Sequence, residues 1–497
     1  MSMDVIKINP KDNVAVALHP LRAGQNYCVD GSEIVSLADI SFGHKIALKA
    51  IPKDTKVIKY GHPIGYATKD IKPGDHVHTD NIKTGLKEHQ EYTYRSMQMQ
   101  KQDGNTSTDF FMGFKRKNGK VGIRNEIWIV PTVGCVNFIA EAIAKKAQAL
   151  LSGNIQGVYS FPHPYGCSQL GEDHENTKKI LSGLIKHPNA GGVLLLGLGC
   201  ENNSMKEMKE ELGKIDENRV KFLVCQDVEN EVDSALKLIA KLIENAKNDT
   251  RTKTPVSELI VGLKCGGSDG LSGVTANPLV GAFTDALTFK GGSTILTEVP
   301  EMFGAEQILM NRCKNQDIFN KTVLLINSFK EYFTSHNQPV YENPSPGNKE
   351  GGISTLEDKA LGATQKSGNA TVVDVLQYGQ SLNEKGLNLL ESPGNDIVAV
   401  TALAACGAHI ILFTTGRGTP LGAPVPVVKI ASNSELYERK NAWIDFSAGD
   451  IADGVPIEKV AKNLYDFVLE LASGEKHTKN EDYGFRDLAI FKTGVTL

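Results

Sequence analysis

Four of the eight cysteines follow strand-like apolar runs. Cys135 closes IWIVPTVGC, Cys167 closes VYSFPHPYGC, Cys200 closes VLLLGLGC and Cys265 closes LIVGLKC. Their separations of 32, 33 and 65 residues match one, one and two strand–helix units of about 30 residues each. The spacing predicts each thiol just past the carboxyl end of a parallel strand, the edge where open α/β sheets bind ligands. Three or four thiolates converging there select a soft metal or an iron–sulfur cluster. A lone cysteine is more simply a small buried residue; the shared strand end is what favours metal. The absence of any C-x-x-C argues against zinc ribbons and thioredoxin chemistry. Cys28, Cys225, Cys313 and Cys406 fall outside the pattern and read as structural.

The neighbouring loops are polar and rich in glycine. Gly266, Gly267, Ser268 and Asp269 open a loop that runs to Gly273, and its free amides suit a small carboxylate. Arg417, between two glycines in TTGRGTP, has the fork to grip a carboxylate bidentately. Either loop could instead be a tight turn. Histidines gather near the start of the chain at His44, His62, His76 and His78. On a strand, His76 and His78 would share one face, able to bind metal or move protons. His163 and His174 flank Cys167, Glu201 follows Cys200, and Glu298 and Glu301 end TEVPE. His44, His78 and His163 are the leading candidates for a general base.

The elements that would position these residues fall into three parts. Residues 1–92 read as short strands and turns, compact β structure with no helix of normal length. Residues 93–112 are polar and aperiodic, a linker. From residue 113 strands alternate with helices, predicting α/β regions over 113–252 and 253–497 with mainly parallel sheets. The stretch 335–370, centred on NPSPGNKEGG, reads as a long loop, functional or disordered.

Composition narrows the classes. Lys plus Arg is 54 and Asp plus Glu is 58, so a net charge of −4 argues against a nucleic-acid partner. No apolar run approaches the roughly 18 residues that span a bilayer, so no membrane partner is expected. Without a signal-like start, a cytoplasmic enzyme with reduced thiols is expected. Neither Gly197-Leu198-Gly199 nor the 416–422 loop makes a dinucleotide fingerprint, and no Walker A sequence exists. An NAD-dependent sugar-acid dehydrogenase and a non-catalytic sugar-acid binder therefore stand as alternatives without a motif of their own.

The stretches GHKIAL, KYGHPIGYA, HVHTDN, GIRNEIWIVPTVGCVN, PYGCSQLGEDH, HPNAGGVLLLGLGCENN, CGGSDGLSGVTANP, TEVPEMFGAEQ, YENPSPGNKEGGISTLEDKALG, TTGRGTP and FKTGVTL closely resemble the altronate/galactarate dehydratase family. The likeness touches essentially every segment but the linker. It implies a small all-β SAF (β-clip) module followed by two α/β regions. It implies a hydro-lyase that removes the C2 proton and the C3 hydroxyl of a sugar acid, a small-molecule substrate. PYGCSQLGEDH and EVPEMFGAEQ look like the altronate branch, which would yield 2-dehydro-3-deoxy-D-gluconate in hexuronate catabolism; galactarate or another sugar acid is the alternative. The implied cofactor is iron, as Fe²⁺ or an iron–sulfur cluster, with Mn²⁺ as a substitute, and a homo-oligomer is expected. Relatives often read HVHxHN, where this chain has Asp80. The residue reading assigns Cys135, Cys167, Cys200 and Cys265 to one metal site, with Arg417 and the 266–273 loop holding substrate.

Overall fold

The computed structural model describes residues 4–86, 91–97 and 109–497. Most of the expected linker therefore lies outside the described residues. Its last residues do not: Phe110–Lys115 is a strand, paired antiparallel with Arg251–Pro255. The aromatic content of FFMGFK explains the difference, since Phe111 and Phe114 are buried while the flanking sequence is polar. This pairing ties the start of the second region to the start of the third.

The N-terminal domain is built from short antiparallel strands. One sheet joins Val5–Ile6, Val14–Ala17, Lys45–Ala47 and His76–Val77 in that order, and a second joins Lys56–Lys59, His62–Ala67 and Ile82–Lys83. The hairpin turn Asp30-Gly31 has φ of 48° and 77°, the left-handed pair that a two-residue hairpin requires.

The strands of the two parallel sheets are numbered here in chain order. The second domain holds β1 (Glu126–Pro131), β2 (Val158–Ser160), β3 (Ala190–Gly197) and β4 (Val220–Val224) in the order β2-β1-β3-β4. The C-terminal domain holds β5 (Ile260–Cys265), β6 (Ser293–Leu296), β7 (Val372–Leu376), β8 (Leu387–Leu390), β9 (Ile410–Thr415), β10 (Val427–Ala431) and β11 (Phe446–Ser447) in the order β7-β8-β6-β5-β9-β10-β11. Every pairing in both sheets is parallel. The near-continuous apolar strands follow from this, because helices cover both faces.

The helices Gly171–Ile185 and Asp396–Cys406 stand between the two sheets and pack on each other. Each runs from the carboxyl rim of its sheet to the opposite edge, and Gly183 touches Ala405 where they end. A Cβ at Gly183 would lie 2.3 Å from the Ala405 carbonyl oxygen, so glycine allows the contact. The two carboxyl rims therefore face the same side of the molecule. One apolar core, including Trp128, Val193, Ile411 and Phe413, joins the sheets.

The stretch 335–370 is not one long loop. Helices form at Pro346–Glu350 and Leu356–Ala363. Ser345 and Asn348 close a capping box on the first, and Thr355 caps the second by accepting from the Asp358 amide. The Gly/Pro-rich composition masks these caps. The segment is the platform on which the N-terminal domain sits. Buried Asp358 accepts from Lys45 Nζ at 2.9 Å and Lys59 Nζ at 3.0 Å, and Lys45 Nζ also donates to Gly352 O at 2.6 Å. Burial opposes charge on Asp358, but the two ammoniums hold it well below the usual carboxylate range.

Asp358→Asn leaves two ammoniums buried without a counter-charge and is expected to cost about 3–5 kcal/mol of stability; urea unfolding would measure it, and an unchanged midpoint would refute the docking role. Between the large domains lie His187 and His409. His187 accepts from the Asn189 amide and His409 from the Ile260 amide, each at Nδ1. Burial lowers His187 well below 6.5 and His409 to about 4. Both stay neutral when folded, whereas the unfolded chain takes up protons below pH 6.5. Stability should thus fall as the pH drops from 6.5 toward 4, by about 1.4 kcal/mol per pH unit per group. Urea midpoints between pH 7 and pH 5 should show that slope, and His187→Gln with His409→Gln should remove the share of these two groups, leaving that of the other buried histidines.

Candidate active site

β5 and β9 are neighbours, yet the chain continues from them to opposite halves of the sheet. This is a topological switch point, and its carboxyl end is the expected ligand crevice. The loops that leave it are 266–273 after β5 and 416–420 after β9. Both are loops whose composition marks them in the sequence.

The N-terminal domain closes this crevice. Gly43 packs on Gly270 so tightly that a Cβ at Gly270 would stand 1.8 Å from the Gly43 carbonyl oxygen. The next residue, His44, sets its Nε2 3.0 Å from Glu350 O. Donating Nε2–H to that carbonyl leaves Nδ1 with its lone pair, 2.9 Å from His76 Nε2. His78 places Nδ1 2.9 Å from Ser354 Oγ. The three rings lie with centroids 4.8–5.6 Å apart. Burial, then the neighbouring cationic Lys45 and the other rings, lowers His76 to about 4 and His78 to about 3, and burial likewise lowers His44. All three are neutral imidazoles at neutral pH. His76 and His78 pair in the sequence, but only the fold brings in His44, which immediately precedes the strand Lys45–Ala47. Asp80, at the departure from HVHxHN, pairs with Lys69 at the exposed surface and acts on the cluster through its charge, which opposes the lowering of His76.

Arg417 is half-exposed and donates to Gly347 O at 3.0 Å and to Glu350 Oε2 at 2.9 Å. Glu350 thus meets His44 through its carbonyl and Arg417 through its carboxylate. Ser268 and Asp269 are buried. Asp269 accepts from Ser272 Oγ at 2.8 Å and Ser432 Oγ at 2.9 Å. Its carboxylate staples the loop from within, and the buried Gly266 donates its amide to Thr414 O at 3.0 Å, so of the expected substrate residues Gly267 and Arg417 are the ones left to face a ligand. Gly267 has φ of 61° and its carbonyl accepts from the Gly416 amide at 3.1 Å, which ties the two crevice loops together.

Beneath the loop lies a buried charged centre that sequence reasoning glimpsed only in Cys265, Glu298 and Glu301. These three are the sole set of three such donors, among the described residues, whose ligand atoms all lie within 4.8 Å of one another. Cys265 Sγ is 2.9 Å from Lys366 Nζ and 3.2 Å from Glu301 Oε2. Lys264 Nζ is 2.5 Å from Glu298 Oε1 and 2.8 Å from Asp396 Oδ1, and Lys359 Nζ is 2.9 Å from Glu301 Oε1. Burial, with the two glutamates beside it, pushes the Cys265 thiol up to about 12. Against burial, Lys359 and the other ammoniums hold Glu301 down to about 2. Glu298 has φ of 68°, a strained conformation for glutamate that functional sites tolerate. The donor types suit a divalent metal, but each donor already faces its own ammonium. Three lysines balance three carboxylates, so this centre fits a cation poorly as it stands.

The other expected residues lie elsewhere. Cys135, Cys167 and Cys200 are exposed at the carboxyl rim of the second domain, while Cys265 is buried in the C-terminal domain. Two helix layers, each about 10 Å across, separate the rims. The expectation of four thiols at one site is thus corrected to three and one, because strands that look alike in sequence belong to two sheets. His163 is buried at the second-domain rim; Nε2 is 2.9 Å from Pro131 O and Nδ1 accepts from the Tyr165 amide. Neither ring nitrogen is left for proton transfer. Cys225, Cys313 and Cys406 are buried, and Cys28 is exposed. Among the described residues no helix is long and apolar enough to cross a membrane.

Three family models match the chain in succession. They are the altronate/galactarate dehydratase SAF domain over residues 3–85, the D-galactarate dehydratase/altronate hydrolase second domain over 113–247, and the D-galactarate/altronate dehydratase C-terminal domain over 256–496. The chain is 54% identical to an altronate dehydratase of Bacillus subtilis, with 99% of each chain covered. It is 51% identical to an altronate dehydratase of Escherichia coli, with 100% of each covered. A galactarate dehydratase (L-threo-forming) of Escherichia coli is 33% identical over 98% of this chain and 96% of its own length. With each of its three parts matched by a model of one family and its whole length by that family's members, the chain belongs to the altronate/galactarate dehydratase family.

Proposed function

We infer that this enzyme removes water from D-altronate to give 2-dehydro-3-deoxy-D-gluconate. The observation that carries this reading is full-length identity above 50% with two altronate dehydratases, against 33% with a galactarate dehydratase. The crevice between the N-terminal domain and the β5/β9 switch point supplies matching chemistry. Arg417 and the amide of Gly267 would hold the substrate carboxylate. That places C2, whose proton the carboxylate makes weakly acidic, toward the imidazoles.

We assign the base role to His78. With Nδ1–H donated to Ser354 Oγ, its Nε2 keeps a lone pair, and burial keeps the ring neutral at the working pH. Iron is the cofactor that the family resemblance implies. His44 and His76 fit it: His44 has its other nitrogen fixed on a backbone carbonyl, the usual second-shell arrangement of a metal-binding histidine. Bound there, Fe²⁺ would polarise the departing hydroxyl, and Mn²⁺ could substitute. The reduced thiols fit a cytoplasmic enzyme.

The test is release of a 2-keto acid from D-altronate with Fe²⁺ under reducing conditions and no pyridine nucleotide. Turnover of galactarate but not altronate would move the enzyme to the other branch. Reaction only with added NAD would sink the hydro-lyase reading. His78→Gln is expected to lower kcat by about 100-fold or more, with a circular dichroism melt near that of wild type. Arg417→Ala is expected to raise KM by about 10–100-fold, the loss of a charge-assisted hydrogen bond, with a smaller change in kcat.

A further inference from the structure

The rim of the second domain repeats the switch-point arrangement with sulfur. β2 lies on one side of β1 and β3 on the other, so the loops after β1 and β3 border a second switch point. They carry Cys135 and Cys200, and the loop after β2 carries Cys167. The three loops are bonded to one another. The Gly134 amide donates to Tyr165 O at 2.9 Å, the Asn203 amide to Gly166 O at 2.9 Å, and Asn203 Nδ2 to Thr132 O at 3.0 Å. Each cysteine follows a glycine. A Cβ at Gly166 would stand 2.0 Å from Thr132 O, so the loops meet this closely only because that side chain is missing.

All three thiols are exposed, whereas Cys225, Cys265, Cys313 and Cys406 are buried. Free cysteine is among the most buried residue types, so three exposed thiols on three bonded loops, held only by weak contacts from Gln226 to Cys200 and Ser168 to Cys167, call for a ligand. Their sulfurs are not all within 4.8 Å of one another. One ion with bonds of about 2.3 Å needs a tighter set; thiolates on separate irons of a cluster need a wider one. The nearby donors are already engaged. Glu201 accepts from Thr132 Oγ1 at 2.5 Å, the Gly199 amide at 2.6 Å and the Leu198 amide at 3.1 Å. His163 has both nitrogens on the backbone.

We propose that Cys135, Cys167 and Cys200 hold a [4Fe–4S] cluster with one iron free of protein ligands and open to water or an oxygen donor. The site is separate from the altronate crevice and does not rest on it.

Protein purified without oxygen, or reconstituted with Fe²⁺ and sulfide, is expected to hold about four acid-labile sulfide per chain and about four iron beyond any bound at His44 and His76, with visible charge-transfer absorbance. The triple variant Cys135→Ser, Cys167→Ser, Cys200→Ser is expected to lose about tenfold in sulfide. Each single variant, its fold checked by circular dichroism, should lose at least about half. Cys28→Ser, which removes an exposed thiol of the N-terminal domain, should keep the full content. Reconstituted protein without acid-labile sulfide, or sulfide retained by the triple variant, overturns the proposal. Altronate turnover on the same samples separates the two readings. Protein reconstituted with Fe²⁺ and sulfide that stays free of sulfide overturns the cluster whether or not altronate turns over; a filled cluster without turnover of altronate overturns the hydro-lyase alone.

Discussion

The shared carboxylate of Asp358 is the contact on which the rest of the crevice depends. A lone buried charge is costly, and a buried pair stabilises only if its remaining valences are met. Here they are met on every side. Lys45 and Lys59 reach Asp358 from two strands of the N-terminal domain, Lys45 also donates to Gly352 O, and the Ser354 amide donates back to Asp358. Lys45 directly follows His44, so the ammonium that anchors the domain also fixes the position of the imidazole. Ser354 is likewise bonded to His78. One buried ion triad therefore sets the geometry of two imidazoles with respect to the 266–273 loop, which neither domain could do alone.

The charged centre under that loop follows the same logic at higher density. Cys265, Glu298, Glu301, Lys264 and Lys366 are all buried. Their charges cancel only as a set, so the centre acts as a rigid keystone at the end of β5. It holds Glu298 in its left-handed conformation and pins the start of the Gly-rich loop, since the Cys265 amide donates to Glu298 Oε2 at 3.0 Å. A loop that must offer bare amides to an anion needs such a base, because its own glycines supply no packing.

Much of this was legible in the sequence, and the limits have physical causes. The parallel strands and their rim loops could be read because buried strands are apolar runs and helices keep their period. The 266–273 loop and Arg417 follow from that reading. Which strands share a sheet could not be read. Cys265 and Cys200 end equally apolar strands, and only tertiary pairing sends them to different sheets. The lysines of the charged centre escaped for the opposite reason. Lys264, Lys359 and Lys366 look like ordinary surface charges in sequence, and only burial beside glutamates gives them a role. The helices at 346–350 and 356–363 were hidden by Gly and Pro, although Ser345 and Thr355 carried the cap signals.

Glu350 explains how an arginine already in an ion pair can still receive a substrate. Its carboxylate holds Arg417 at the surface, with side chains 68% and 50% exposed, and such pairs contribute only about 0–1 kcal/mol. Exchanging it for a substrate carboxylate in a less hydrated crevice thus costs little. The Glu350 carbonyl is a different matter. It belongs to a helix end whose next residue, Gly351, accepts from the Gly270 amide at 2.6 Å. Losing the side-chain contact therefore leaves the backbone, and with it the tautomer of His44, in place. The same residue can yield its carboxylate to the incoming anion while its carbonyl keeps the imidazole ready.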